Sequence, residues 1–250
     1  MKVWVMIIVT ADDWGRTQSE TDAALRCYQA GRITAISAMV FMEDSMRAAA
    51  LAKSLGMVVG LHLNLTQPFT GERGSGLHGE SHRRIVRFLT VNKYALLVYN
   101  PFLRKHFRLV YQAQVDEFVR LYGQPPTHFD GHQHMHLCAN ILVDKIIPDG
   151  VRVRRNFSFI PGEKSLVNRA YRRLIDSWLA RRHRVTDYFF SLGRSLSNGD
   201  LRRVIKLAES ETVEVMTHPV QRAEYECLLS EYYLGLLRLV PTHVKRNQGE

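Results

Sequence analysis

The run VWVMIIVT, residues 3–10, is almost wholly apolar and rich in β-branched side chains. So short a run with no polar face reads as a strand buried on both sides. Strands of that kind belong to parallel sheets covered by helices, and the chain that follows keeps the required alternation. A helix is expected from Thr17 to Ala30, closed by Gly31. ITAISAMVF is a second strand, and MRAAALAKSLG a second helix capped by Gly56. MVVGLHLNLT is a third strand, and a long glycine-rich loop is expected over 67–81. Helical patterning returns before Pro125. THFDGHQ, VRVRRN, VTDYFF and VEVMTHP then read as further strands, with helices near 164–182, 197–209 and 222–238. The pattern predicts an α/β chain of about seven β–α repeats, a single domain over 1–250. Its parallel sheet is either closed as a barrel or open and doubly wound.

Composition narrows the class. The 250 residues are 46% hydrophobic, enough for a substantial core, and carry a formal charge of +10. Much of the excess lies in VRVRRN, YRRLID and ARRHRV, between Arg152 and Arg203. A basic face can serve nucleic acid, a membrane surface or an anionic substrate. These runs read more simply as solvated helix faces, and with no nucleic-acid-binding motif no nucleic-acid partner is expected. Cys27, Cys138 and Cys227 are odd in number and form no CxxC pair, which points to a reducing, cytoplasmic setting. The apolar N-terminus is short and runs into two aspartates, so it reads as a strand and not a secretion signal. No apolar stretch reaches membrane-spanning length. A homodimer stays open.

Ligand sites in parallel α/β sheets form beyond the carboxyl ends of the strands. The ligand-type residues fall there. Asp12 and Asp13 follow the first strand, His62 and Asn64 lie late in the third, Asp130 and His132 end the fourth, and His218 ends the last. Strand alternation puts His128, Asp130 and His132 on one face, and His62, Asn64 and Thr66 on another strand's polar face. Asp13, His62 and His132 form a two-imidazole, one-carboxylate set suited to a divalent cation with open positions. The Asp12–Asp13 doublet suggests divided labour, one carboxylate on the cation and one as base, provided the chain turns at the pair. A helix N-cap is the plainer use of Asp13. His218 could protonate a leaving amine or alcohol, or simply bond the loop backbone. His134 and His136 could bind substrate, orient a ligand or face solvent. His78, His82, His106, His183 and His243 read as surface residues.

TADDWG at 10–15, GLHLNLT at 60–66, THFDGHQHMH at 127–136 and VMTHP at 215–219 together resemble the YdjC-like carbohydrate deacetylases, which include the chitooligosaccharide deacetylases. The resemblance implies a distorted (β/α) barrel, a divalent metal usually described as magnesium, and removal of N-acetyl groups from amino-sugar units. It implies Asp13, His62 and His132 as metal ligands, Asp12 as base and His218 as acid. Trp14 stands where the family commonly has phenylalanine, and the Arg- and aromatic-rich stretch 157–192 has no evident counterpart. An anionic N-acetylated sugar is therefore an equal candidate substrate, and the ligand set would also accept zinc, cobalt or nickel. A metal-dependent phosphoesterase and a catalytically silent sugar-binding protein on the same fold remain the competing readings.

Overall fold

A computed structural model describes residues 6–158 and 166–239. Its elements are β1 (Met6–Trp14), α1 (Gln18–Gln29), β2 (Ala35–Ala38), α2 (Ser45–Ser54), β3 (Val59–Leu63), α3 (Gly76–Leu89), α4 (Arg104–Tyr122), β4 (Phe129–Gly131), α5 (Ala139–Val143), α6 (Leu166–Ala180), β5 (Tyr188–Ser191), α7 (Leu192–Asn198), α8 (Leu201–Leu207), β6 (Thr212–Thr217), α9 (Arg222–Leu229) and α10 (Glu231–Arg238). The strands form one parallel sheet in the order β4-β3-β2-β1-β6-β5, curled as a partial barrel. No helix among the described residues is long and apolar enough to cross a membrane.

The strand order follows from burial. β1 is the centre of the sheet, pairing with both β2 and β6, and its Ile7, Val9 and Ala11 enter the core. Every residue of β2 and β3 is buried, as a two-sided parallel sheet requires. Trp14 ends β1 fully buried and donates its indole N–H to Ala48 O at 3.2 Å, which pins α2 to the sheet. α1 starts on an N-cap: Thr17 Oγ1 accepts from the Glu20 amide and donates to the Glu20 carboxylate.

The other face of the sheet is polar. Thr10, Asp12, Ser37, His62, His128, Asp130 and Glu214 are all buried and meet across strands. Gly60 belongs to this layer by necessity, because a Cβ there would lie 2.3 Å from His128 Nε2. An ionic layer of this kind is stable only when its members satisfy one another or bind something.

Three expectations change. Among the described residues the sheet has six strands where about seven were expected. VRVRRN makes only isolated bridges, Phe129 with Val153 and Arg152 with Arg184, a single residue on each side and too few for a ladder. Arg154 turns into the polar layer, while Arg155 turns out to Asp176 on α6. The loop expected over 67–81 ends early, since α3 starts at Gly76. Burial of Ser81, His82, Ile85 and Leu89 against neighbouring elements outweighs the poor helix propensity of its glycines. The helices expected over 197–209 and 222–238 are each broken in two, at Gly199, which is left-handed, and at Ser230, which caps α10. The parts of the expected first strand and of the 164–182 helix at residues 3–5 and 164–165, and His243, lie outside the described residues.

Candidate metal centre and catalytic site

The carboxylate doublet works only if the strand bends, and it does. The β1–β2 register slips between Ala11 and Trp14, and Asp13 takes φ of +62°. Aspartate tolerates this left-handed conformation better than most side chains. Both carboxylates consequently serve the polar layer, but they meet different partners.

Asp13 gathers imidazoles. Its Oδ1 lies 2.8 Å from His132 Nδ1 and 3.3 Å from His62 Nε2. Its Oδ2 accepts from Arg16 Nη1 at 3.0 Å and lies 3.9 Å from His218 Nε2. His62 is oriented from behind: Nδ1 bonds Asp130 Oδ1 at 2.8 Å, which turns Nε2 toward Asp13. Asp130 Oδ2 in turn accepts from Ser37 at 2.6 Å. A carboxylate behind an imidazole is the usual support of a metal-ligating histidine.

Asp12 meets a cation from a run that, by sequence, reads as a solvated face. Arg154 is 2% exposed and grips Asp12 with both terminal nitrogens, at 2.6 and 2.8 Å. The same guanidinium reaches Asp130 Oδ2 at 2.8 Å and Glu214 Oε1 at 2.9 Å, and lies 5.0 Å over the Phe189 ring. His136 donates from Nε2 to the Arg154 carbonyl at 2.9 Å, so one of the two histidines beyond the strand holds the arginine's backbone.

These surroundings drive the two aspartates apart. Burial raises the proton affinity of Asp12 and outweighs the opposing pull of Arg154 and His62. Burial acts the same way on Asp13, but hydrogen bonds and charge from His132 and His62 overcome it and hold Asp13 well below the usual carboxylate range. For His62, burial favours the neutral ring, yet Asp130, Asp12 and Asp13 push it up to about 10.

The donor set fits a divalent cation. One oxygen of Asp13 and one nitrogen each of His62 and His132 lie within 4.8 Å of one another, all three residues buried. Two imidazole nitrogens converge on a single carboxylate oxygen, and His132 Nε2 is buried without a hydrogen-bond partner. A second group, Asp12 with His62 and Asp130, meets the same distance condition, but it shares His62 and its two carboxylates already hold Arg154.

Asp12, Asp13, His62, His132 and His218 therefore come together, from the ends of β1, β3, β4 and β6. His218 is half-buried, and its amide donates to Glu224. Gln133 and His134 follow His132 with left-handed φ of 53° and 59°, which turns them into a cavity of about 390 Å³ also lined by Phe157, Tyr171 and Arg194. His134 packs edge-on to Phe157 at 4.5 Å, and Arg194 lies 4.7 Å over the same ring. Sequence reasoning missed Arg154 as a site residue. The signal available was the alternation in VRVRRN, which sets Arg152 and Arg154 opposite Val151 and Val153. Two histidines expected at the surface are interior: His82, 1% exposed and bonded to Asn64 O, and His183, 7% exposed.

The model of the YdjC-like protein family matches residues 6–233. Mouse carbohydrate deacetylase is 27% identical over 86% of this chain and 78% of its own length. Chitooligosaccharide deacetylase of Serratia marcescens is 32% identical over 54% of this chain and 52% of its own. The chain spans about half the length of several curated deacetylases it matches. An Enterococcus faecalis crystal structure named for cellobiose-phosphate cleavage superposes with a TM-score of 0.63 at 18% identity, covering 95% of this chain and 96% of that one, a likeness of fold. With the four motifs spread over β1, β3, β4 and β6 and the family match running through all of them, this chain belongs to the YdjC-like family.

Proposed function

We propose that the chain, acting as one domain, is a carbohydrate deacetylase that uses a divalent metal to hydrolyse the acetamide of an N-acetylated amino sugar. The observation that carries this reading is the division between neighbouring carboxylates: Asp13 Oδ1 gathers His62 and His132, while Asp12 is held by Arg154. Two carboxylates in such different company at one strand end suit a ligand and a base. Asp13, His62 and His132 would hold the cation, with Asp130 orienting His62. Bound there, a divalent cation supplies Lewis-acid polarisation of the carbonyl and lowers the pKa of water.

Asp12 takes the proton of the attacking water, and Arg154 holds both its oxygens so that its direction is set before substrate arrives. The carbon–nitrogen bond breaks as the amine gains a proton. His218, near the second oxygen of Asp13, is the donor. The products are acetate and the free amino sugar. Phe157 and Tyr171 give the cavity beside His132 aromatic walls for a sugar ring, and Arg194 suits an anionic substituent. The overlap of the second donor group with Arg154 favours one cation, which counts against a two-metal phosphoesterase. Magnesium rests on family resemblance, whereas two imidazoles and a carboxylate also suit zinc, cobalt or nickel. The free thiols of Cys27, Cys138 and Cys227 fit the reducing cytoplasm.

Metal analysis combined with acetate release from a panel of N-acetylated saccharides tests the reading. Asp12→Asn is expected to keep the metal and lose turnover by about 10²–10⁴-fold, the usual worth of general-base catalysis. Asp13→Asn is expected to lose the metal. The reverse pair of phenotypes would exchange the two roles, and a metal-loaded protein that releases acetate from none of the saccharides would refute the activity.

A further inference from the structure

The connection between α3 and α4 leaves unusual side chains uncovered. Val91, Tyr94, Leu97, Val98 and Phe102 are 71%, 60%, 49%, 53% and 89% exposed. The backbone that carries them is held in place. Asn100 and Asn140 exchange two hydrogen bonds, of 3.0 and 2.8 Å, Tyr99 bonds Asp144, and Ala95 is buried beneath. Across the cavity, α6 adds Tyr171 to the lining, 38% exposed, and Leu174 of the same helix is 69% exposed. The apolar rim therefore spans two elements and is presented by fixed backbone.

The segment that carries it is basic in sequence, and of its cations Arg104 pairs with Asp144 at 3.0 Å. From Ser81 to Val115 the chain has seven lysines and arginines and no aspartate or glutamate. Arg83, Arg84, Arg87, Lys93 and Lys105 are exposed. Aromatic and aliphatic side chains set among cations form the chemistry of a surface that enters the headgroup layer of an anionic membrane. A second copy of this chain is a poor occupant, because a two-fold contact through this face would set the same cations against each other.

We propose that this face docks the protein peripherally on an anionic lipid bilayer, with Val91, Val98 and Phe102 entering the interface and the surrounding cations facing acidic headgroups. The cavity beside His132 opens on the same rim through Tyr94, Leu97 and Tyr171, so docking turns it toward the membrane surface. The inference is independent of the reaction assigned to the site.

The test is sedimentation of the full chain with large vesicles of equal parts phosphatidylglycerol and phosphatidylcholine, and of phosphatidylcholine alone. Binding is expected on the anionic vesicles only and should weaken with salt as the charges are screened. Val91→Asp with Phe102→Asp, and separately Lys93→Glu with Lys105→Glu, should each weaken partition by about tenfold or more, a neighbouring cation being worth about fivefold at such a surface. The melting temperature and metal content of these variants should not change, because none of the four residues is buried or at the site. Absence of binding to anionic vesicles, equal binding to neutral ones, or binding that survives both variants overturns the proposal. So does a dimer in light scattering that Phe102→Asp abolishes in a protein that ignores vesicles, which would assign the face to a second copy.

Discussion

Arg154 and Arg173 lie on one basic stretch of chain and look equivalent on paper, but their surroundings make them different chemical objects. Arg154 is 2% exposed, with hydrogen bonds or ion pairs to Asp12, Asp130 and Glu214. Arg173 sits on the exposed side of α6. The first is a counter-charge that the polar layer cannot do without, and the second is solvated. What an arginine contributes is set by how many charges it leaves stranded when removed, and only burial strands them.

That contrast predicts a graded series. Arg154→Leu should destabilise most, by about 3–5 kcal/mol, the cost of leaving buried carboxylates without their partner. Denaturant unfolding reads it directly, and a loss below about 1 kcal/mol would show the layer to be hydrated rather than dry.

Histidines repeat the comparison. Burial depresses His82 to about 4 against the ordinary 6.5. Below pH 6.5 the unfolded chain takes up a proton there that the folded chain refuses until about pH 4. Its contribution to stability is thus intact above pH 6.5, falls as the pH drops toward 4, and levels off below, by about 3 kcal/mol in all. His82→Gln should flatten the stability profile in that window by about one proton, read from denaturant unfolding across the pH range.

Arg155 stands between the extremes. It pairs with Asp176 at 2.9 Å, the two side chains 22% and 13% exposed, and it also donates to Thr186 O. Arg155→Ala should cost about 1–2 kcal/mol, since some water already reaches the pair. Arg173→Ala should change stability by no more than about 0.5 kcal/mol. If Arg155 and Arg173 proved equal, the ion pair that joins residue 155 to α6 would be worth nothing.

Much of the site was legible because strand chemistry is local. The period of two in GLHLNLT and THFDGHQ puts His62 and Asp130 on polar faces, and strand ends are where parallel sheets place their ligand residues. The bend at Asp12–Asp13 could be required from the doublet and is present as a left-handed Asp13. Arg154 was not legible, because the alternation in VRVRRN gives a face without saying what that face meets, and its carboxylate partners lie as far away in the chain as Asp12. The seventh strand was not legible either: strand propensity is local, whereas a ladder needs a neighbouring segment running alongside, and VRVRRN meets each neighbour at a single bridge.

The sequence by itself determined the parallel α/β order of elements, the clustering of histidines and aspartates at strand ends, and the family, since these depend on periodicity and on motif order along the chain. Only the tertiary structure decided that the polar layer is centred on Arg154, that Asp12 and Asp13 differ in proton affinity, and that His82 is interior. Each of those depends on burial and on charges brought together from distant positions, and electrostatic energy in a dry interior is set by distance in space.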